Sequence, residues 1–302
     1  MRTFFSALSL AALAAPSLAA SDKPLTPGDV VDAAPASDWK RIAPEDLVVM
    51  DLTPGTQGRA RRVVIQLIPA PFSQGWTSNI RKLVAARWFD GTAVVRVQDN
   101  YVVQWGDPDG ETPDKAKPLP AGLAKVPESA YVAARSALKA SGGGDAYALR
   151  TGFETGWPVA ADKKAAWPVH CYGMVGVGRN LSPDTGTGAE LYTVIGQAPR
   201  QLDRNIALVG RIIAGMEHLS SLPRGTGPLG FYETPQERTP IVSVRMGSDV
   251  PGLPAYEYLS TDSASFAAYA DKRANRKDDF YIQPAGGVDI CNVPVPIRAA
   301  RP

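Results

Sequence analysis

The chain has 302 residues, and its 32 Lys and Arg stand against 30 Asp and Glu for a formal net charge of +2. That near balance argues against a dedicated nucleic-acid binder, which would usually carry a basic excess or stripe, and two Cys with two His are too few soft ligands for a Cys/His zinc finger or ribbon. The 28 Gly and 27 Pro favour a turn-rich, strand-rich fold over a helix bundle.

Met1-Arg2-Thr3 is a short positive start, Phe4 to Ala15 an apolar run, and Ser17-Leu18-Ala19 a small-x-small pattern. Together they read as a signal peptide over residues 1–20, cleaved near Ala19 or Ala20. The alternative is a membrane anchor, but the run falls short of the roughly 20 apolar residues that a span needs. No later stretch is long and apolar enough to span, so a periplasmic or secreted protein is expected. In an oxidising compartment the two cysteines, Cys171 and Cys291, are expected to form one disulfide. Such a bond would stabilise by about 4–5 kcal/mol through loop entropy. Two buried free thiols are the alternative.

Residues 21–60, rich in Pro, Ala and Asp, read as a leader with one strand at Leu47 to Leu52. The β-branched run Arg62 to Leu67 predicts a strand. Ile80, Leu83 and Val84 give Ser78 to Arg87 a helical spacing. After the Asp90-Gly91 turn, Thr92 to Val97 and Tyr101 to Gln104 read as strands, closed by the loop Gly106 to Gly110. Residues 113–168 look like an insertion, with a helix predicted over Glu128 to Ala140 and ended by Ser141-Gly142-Gly143-Gly144. Strands follow at Tyr172 to Val177, Leu191 to Ile195 and Ile206 to Ile213, then a short helix at Gly215 to Ser221. The tail, residues 223–302, carries a strand at Pro240 to Arg245, a helix at Ser263 to Arg276 and an apolar end at Val288 to Ile297. His170 and His218 are far apart in the chain, and there is no G-x-S-x-G elbow for a nucleophilic serine.

Two blocks resemble the cyclophilin-type peptidyl-prolyl isomerases. The first is Trp88-Phe89-Asp90-Gly91-Thr92-Ala93-Val94-Val95-Arg96-Val97, continuing through Tyr101-Val102-Val103-Gln104-Trp105-Gly106-Asp107-Pro108. The second contains Gly173-Met174-Val175-Gly176-Val177-Gly178-Arg179, then Leu202-Asp203, then Val209-Gly210-Arg211 and Gly215-Met216. The resemblance implies a mainly β fold: a closed antiparallel eight-stranded barrel with capping helices. The expected division is then a leader at 21–60, a barrel at 61–222 with a helical insertion at about 113–168, and a C-terminal extension at 223–302 packed on the barrel.

The resemblance also implies an activity, rotation of the X-Pro peptide bond, with proline-containing polypeptides as partners and no cofactor or metal. Arg96 matches the catalytic arginine, although alone it would read as a solvent-facing residue of an alternating strand. Gln104 matches the glutamine that orients it. In the proline pocket Tyr101, Val102 and Tyr192 stand in place of the family's Phe, Met and Phe, Leu202 matches a wall Leu, Glu190 falls at a glutamine and Ile206 replaces a wall histidine. Each apolar one alone would read as core. The family's Trp is replaced by Gln201, and the His before its catalytic arginine by Val95. These departures keep a second function open, that of a catalytically weak peptide-binding chaperone or scaffold. A monomer is expected.

Overall fold

The computed structural model describes residues 24–135 and 143–301. Residues 1–20, read from the sequence as a signal peptide, lie outside them. Eight antiparallel strands close into a barrel. In chain order they are β2 (Leu47–Leu52), β3 (Arg61–Leu67), β4 (Ala93–Val97), β5 (Val102–Gly106), β10 (Met174–Val177), β11 (Leu191–Val194), β12 (Leu208–Ala214) and β13 (Thr239–Met246). Around the barrel they run β10, β11, β5, β4, β13, β2, β3, β12 and back to β10.

Alternation fills the interior. Val48, Met50 and Leu52 of β2 and Val63, Ile65 and Leu67 of β3 share one core with Val94, Val103, Trp105, Val175 and Val209. Helix α2 (Gln74–Ala85) closes one opening with Trp76, Ile80, Leu83 and Val84, and α3 (Glu217–Ser220) adds Leu219 to the same core.

The barrel does not fit within residues 61–222. One of its strands, β2, comes from the region read as a leader, and another, β13, from the tail. Strand β13 pairs with β2 from Ile241↔Leu52 to Met246↔Val48 on one side, and with β4 at Thr239↔Val94 on the other. The Asp90-Gly91 turn binds it too: Arg245 donates two hydrogen bonds of 2.8 Å to the Asp90 carboxylate, and the Val244 amide donates a third. This pairing holds the Asp90 carboxyl below the usual carboxylate range.

The rest of the leader is ordered against the rest of the tail. Helix α1 (Pro27–Asp32) is capped by Thr26, whose hydroxyl accepts from the Asp29 amide. It packs near α4 (Ala264–Ala274), where Trp39, Leu259, Phe266 and Tyr269 form a small core. Strands β1 (Trp39–Arg41), β14 (Tyr256–Leu259) and β15 (Ile297–Ala299) make a three-stranded antiparallel sheet with β14 in the centre. Tyr256, Tyr258 and Ile297 of this sheet pack on Val64, so β3 is apolar on both faces. That is why its sequence is a continuous β-branched run instead of an alternation.

The insertion is a sheet, which corrects the expected helix. Strands β6 (Ala133–Ala134), β7 (Arg150–Glu154), β8 (Trp157–Ala161) and β9 (Ala165–Pro168) pair in the order β6, β9, β8, β7. Within Glu128 to Ala140, residues 128–131 form one 3-10 turn, Ala133–Ala134 is the short strand, and 136–140 lie outside the described residues. Tyr131 ends that turn and stacks on Trp76, with ring centroids 5.3 Å apart. The alanines have intrinsic helix preference, but Ala165 and Ala166 offer them a strand partner. Trp157, Val159, Trp167 and Val169 of this sheet pack against Met174 and Leu208 on the outside of the barrel.

Cys171 and Cys291 form a disulfide, with their Cα atoms 5.1 Å apart. It clasps the tail to the segment entering β10. The closed loop spans 120 residues in sequence. The Cys171→Ser/Cys291→Ser double variant is expected to lose about 4 kcal/mol of unfolding free energy. Urea titration of the oxidised proteins tests this, and a loss under about 1 kcal/mol would show that the clasp holds nothing the packing does not.

Candidate active site

Arg96 stands opposite Gln104 across the β4–β5 pair, just after a register shift between Val94 and Arg96. Val94 and Val97 are both fully buried in the barrel core, three residues apart. A regular strand cannot point both inward. The bulge adds one residue and turns Arg96 to the outer surface, where it is half-buried. An arginine in an apolar strand is thereby reconciled with an apolar barrel interior.

The guanidinium is fixed on several sides. Its Nη1 donates to Gln104 Oε1 at 3.0 Å, its Nε to the Leu229 carbonyl at 2.7 Å, and its Nη2 to Gln98 Oε1. The rings of Tyr101 and Phe231 lie 5.6 and 5.1 Å from its central carbon. Burial lowers its pKa from the ordinary arginine value, while Tyr101 and Glu190 favour the charged form. Gln104 in turn donates its amide to Glu190 Oε1. Burial raises the Glu190 pKa, as does Glu111, and Arg96 opposes the rise.

Beside this polar row lies an apolar cluster. Val102, Tyr192 and Val194 are buried at its base, and Tyr101, Leu202 and Ile206 are partly buried around them. All eight residues singled out in the sequence for catalysis or substrate contact thus fall in one place. Gly176 is paired with Tyr192 across β10 and β11, and a Cβ there would overlap the tyrosine hydroxyl. Glycine at 176 is what admits the larger ring.

The Tyr192 hydroxyl has a buried partner that sequence reasoning missed. It lies 3.0 Å from His170 Nε2, and His170 Nδ1 lies 3.0 Å from Asp203 Oδ1. Asp203 also accepts from the His170 amide at 3.0 Å and from Arg200 Nε at 2.7 Å, and Arg200 donates to Asp145 at 2.6 Å. The carboxylate accepts, so Nδ1 carries a proton, and the Nε2–hydroxyl contact completes the row. Burial holds the Tyr192 hydroxyl protonated, far above the usual tyrosine range. His170 and Asp203 are 33 positions apart, and only the Leu202-Asp203 pair hinted at this row.

Two further contacts of Arg96 come from the tail. Residues 225–232 run along β4, with the Gly225 amide donating to Val97 O and the Tyr232 amide to Val95 O. This brings Leu229 and Phe231 to the arginine. No feature of the sequence links them to it.

Tyr192→Phe keeps the ring but leaves the buried His170 Nε2 without its hydroxyl partner. We expect a loss of about 1–3 kcal/mol in unfolding free energy. Unchanged stability in urea titration would show that the hydroxyl contact is idle.

The chain matches the family model of the cyclophilin type peptidyl-prolyl cis-trans isomerases over residues 56–246. No curated protein matches it. Among solved structures, the cyclophilin AquaCyp293 from Hirschia baltica is similar, with a TM-score of 0.62 and 23% identity, over 88% of this chain and 97% of that one. That likeness is one of fold. A cyclophilin type peptidyl-prolyl cis-trans isomerase from Cryptosporidium parvum, crystallised in the presence of the dipeptide Ala-Pro, is 12% identical. It covers 66% of this chain and 98% of that one, and its TM-score of 0.38 is too low to carry an argument. The family match spans all eight barrel strands except β2, and it takes in both the arginine row and the apolar cluster: the chain belongs to the cyclophilin-type peptidyl-prolyl cis-trans isomerases.

Proposed function

We propose that this isomerase turns X-Pro bonds in exported polypeptides, as a monomer, and so assists their folding. Rotation about a peptide bond must break amide resonance, a barrier of about 18–20 kcal/mol. Unaided X-Pro isomerisation takes tens to hundreds of seconds. No covalent bond is cleaved, so the reaction asks only for a seat for the ring, a grip on its flanks and a charge that favours the twisted state.

One observation carries the reading: a braced arginine beside an apolar seat. Arginine has five N–H donors, and Arg96 uses three of them on Leu229, Gln104 and Gln98. One donor on each terminal nitrogen is left for a substrate. In the twisted state the prolyl nitrogen regains a lone pair. Arg96 would stabilise it with a preorganised charge that needs no rearrangement during the reaction. Gln104 would hold Arg96 and contact the substrate backbone. The ring would sit on Val102 and Tyr192, walled by Tyr101, Leu202 and Ile206, with Glu190 anchoring Gln104 at the edge.

The export part of the reading rests on the signal-like residues 1–20 and on the Cys171–Cys291 disulfide, a bond suited to oxidising compartments. A second reading, a peptide-binding chaperone or scaffold with weak turnover, is favoured by the replaced pocket residues Val102 and Ile206.

Arg96→Ala should lower kcat/KM on a proline tetrapeptide by about 100-fold or more, the scale for loss of one preorganised donor. Arg96→Lys should recover little, because a lysine cannot keep the planar fork. Equal and negligible turnover in wild type and Arg96→Ala would favour the binding reading. Export has its own test. The full chain expressed in a Gram-negative bacterium should yield a periplasmic product beginning at Ala20 or Ser21, read by mass spectrometry. A cytoplasmic product that keeps Met1 to Ala19 would sink it.

A further inference from the structure

The tail segment that reaches Arg96 carries more than a carbonyl. Leu229 has φ +57°, the left-handed region that disfavours residues with a Cβ. Its neighbour Gly230 is also left-handed, at φ +78°, and a Cβ there would come within 2.7 Å of the Gln98 backbone. The close approach explains the glycine, and the hydrogen bond to Arg96 Nε explains why the Leu229 carbonyl points as it does. Neither explains a leucine. Glycine or asparagine would present the same carbonyl without the steric cost.

Nor does packing account for the side chain. Leu229 is 67% exposed and Phe231 is 39% exposed. A single exposed leucine means little. Here the Phe231 ring lies on the arginine, and Leu229, on a left-handed backbone two residues earlier, is bonded to the same guanidinium through its carbonyl, so the two exposed apolar residues stand together at the site. The Arg96 guanidinium meets both the Tyr101 ring of the seat, at 5.6 Å, and the Phe231 ring of the tail, at 5.1 Å. The segment is also rigid. The Gly227 amide donates to Phe231 O at 2.9 Å, Tyr232 Oη to Pro223 O at 2.6 Å, and Arg224 pairs with Asp99 at 2.9 Å. A preordered wall loses little entropy when a ligand meets it.

We propose that Leu229 and Phe231 form a specificity wall that contacts an apolar side chain flanking the substrate proline. This rests on Arg96 being the donor at the prolyl nitrogen: residues that touch its guanidinium then stand close to the residues bonded to that proline. The enzyme then prefers prolines next to bulky apolar residues, as found in the core-forming stretches of unfolded proteins.

The test uses the full oxidised chain and two peptide series, one varying the residue before proline and one the residue after, each through Gly, Ser, Leu and Phe. Exchange NMR gives kcat/KM without an added protease. On one flank, Leu or Phe should exceed Ser by about 10-fold, the scale for a modest apolar contact. Leu229→Asn suits the left-handed backbone and keeps the carbonyl, and should cut that ratio to about 2-fold or less. Leu229→Met should retain it. No preference on either flank in the wild type would overturn the proposal. So would a ratio unchanged in Leu229→Asn, including the case where turnover falls equally on every peptide and the residue acts only by holding Arg96. Arg96→Ala separates this from the underlying reading: if its turnover equals wild type on all peptides, the catalytic assignment fails, whatever the wall does.

Discussion

Everything in this molecule depends on closing the barrel, and closure depends on β13. That strand hydrogen-bonds to β2 on one side and β4 on the other. Without it, β2 and β4 would be open edges with unpaired backbone groups. The Asp90–Arg245 pair adds a charged tie at the same seam. The chain that leads from α3 to β13 has to pass along β4 to get there, and on the way it delivers Leu229 and Phe231 to Arg96. Closure and arrangement of the arginine are therefore one construction.

The segments outside the barrel are fastened to it by a second cation. Arg211 on β12 is buried, and it donates to Gln66 on β3 at 2.9 Å and to the Gly156 carbonyl at the β7–β8 turn at 2.6 Å. Its guanidinium lies 4.3 Å from the Trp157 ring and 6.0 Å from the Tyr258 ring. Burial pushes its pKa down to about 9. One side chain thus touches the barrel, the insertion sheet and the tail sheet. Such a site tolerates change poorly, because losing the cation strands two acceptors away from water.

What was legible in the sequence followed what is local. Arg96, Tyr101, Val102 and Gln104 sit on one hairpin at fixed offsets, so their linear spacing carries their geometry. Glu190, Tyr192, Leu202 and Ile206 lie on a second block whose order is equally compact. Leu47 to Leu52 and Pro240 to Arg245 were readable as strands from their apolar content, but not as barrel members, because pairing across most of the chain leaves no local trace. The alanines near 133 read as helix because propensity is local and their strand partner is not. His170 looked like an isolated histidine; only folding brings it between Tyr192 and Asp203. Leu229 and Phe231 were illegible for the same reason, being more than 130 positions from the arginine they serve.

The pairing of β2 with β13 also sets a timetable. Its partners stand roughly 190 residues apart in the chain, a contact of very high order. A chain that emerges with its N-terminal end first holds β2 and β3 early and lacks the strand that shuts the barrel until Met246 has been delivered. Until then the barrel is a curved sheet with two open edges. Topology alone thus keeps the protein from locking into its final form for most of its emergence, and the seam that locks it is made last.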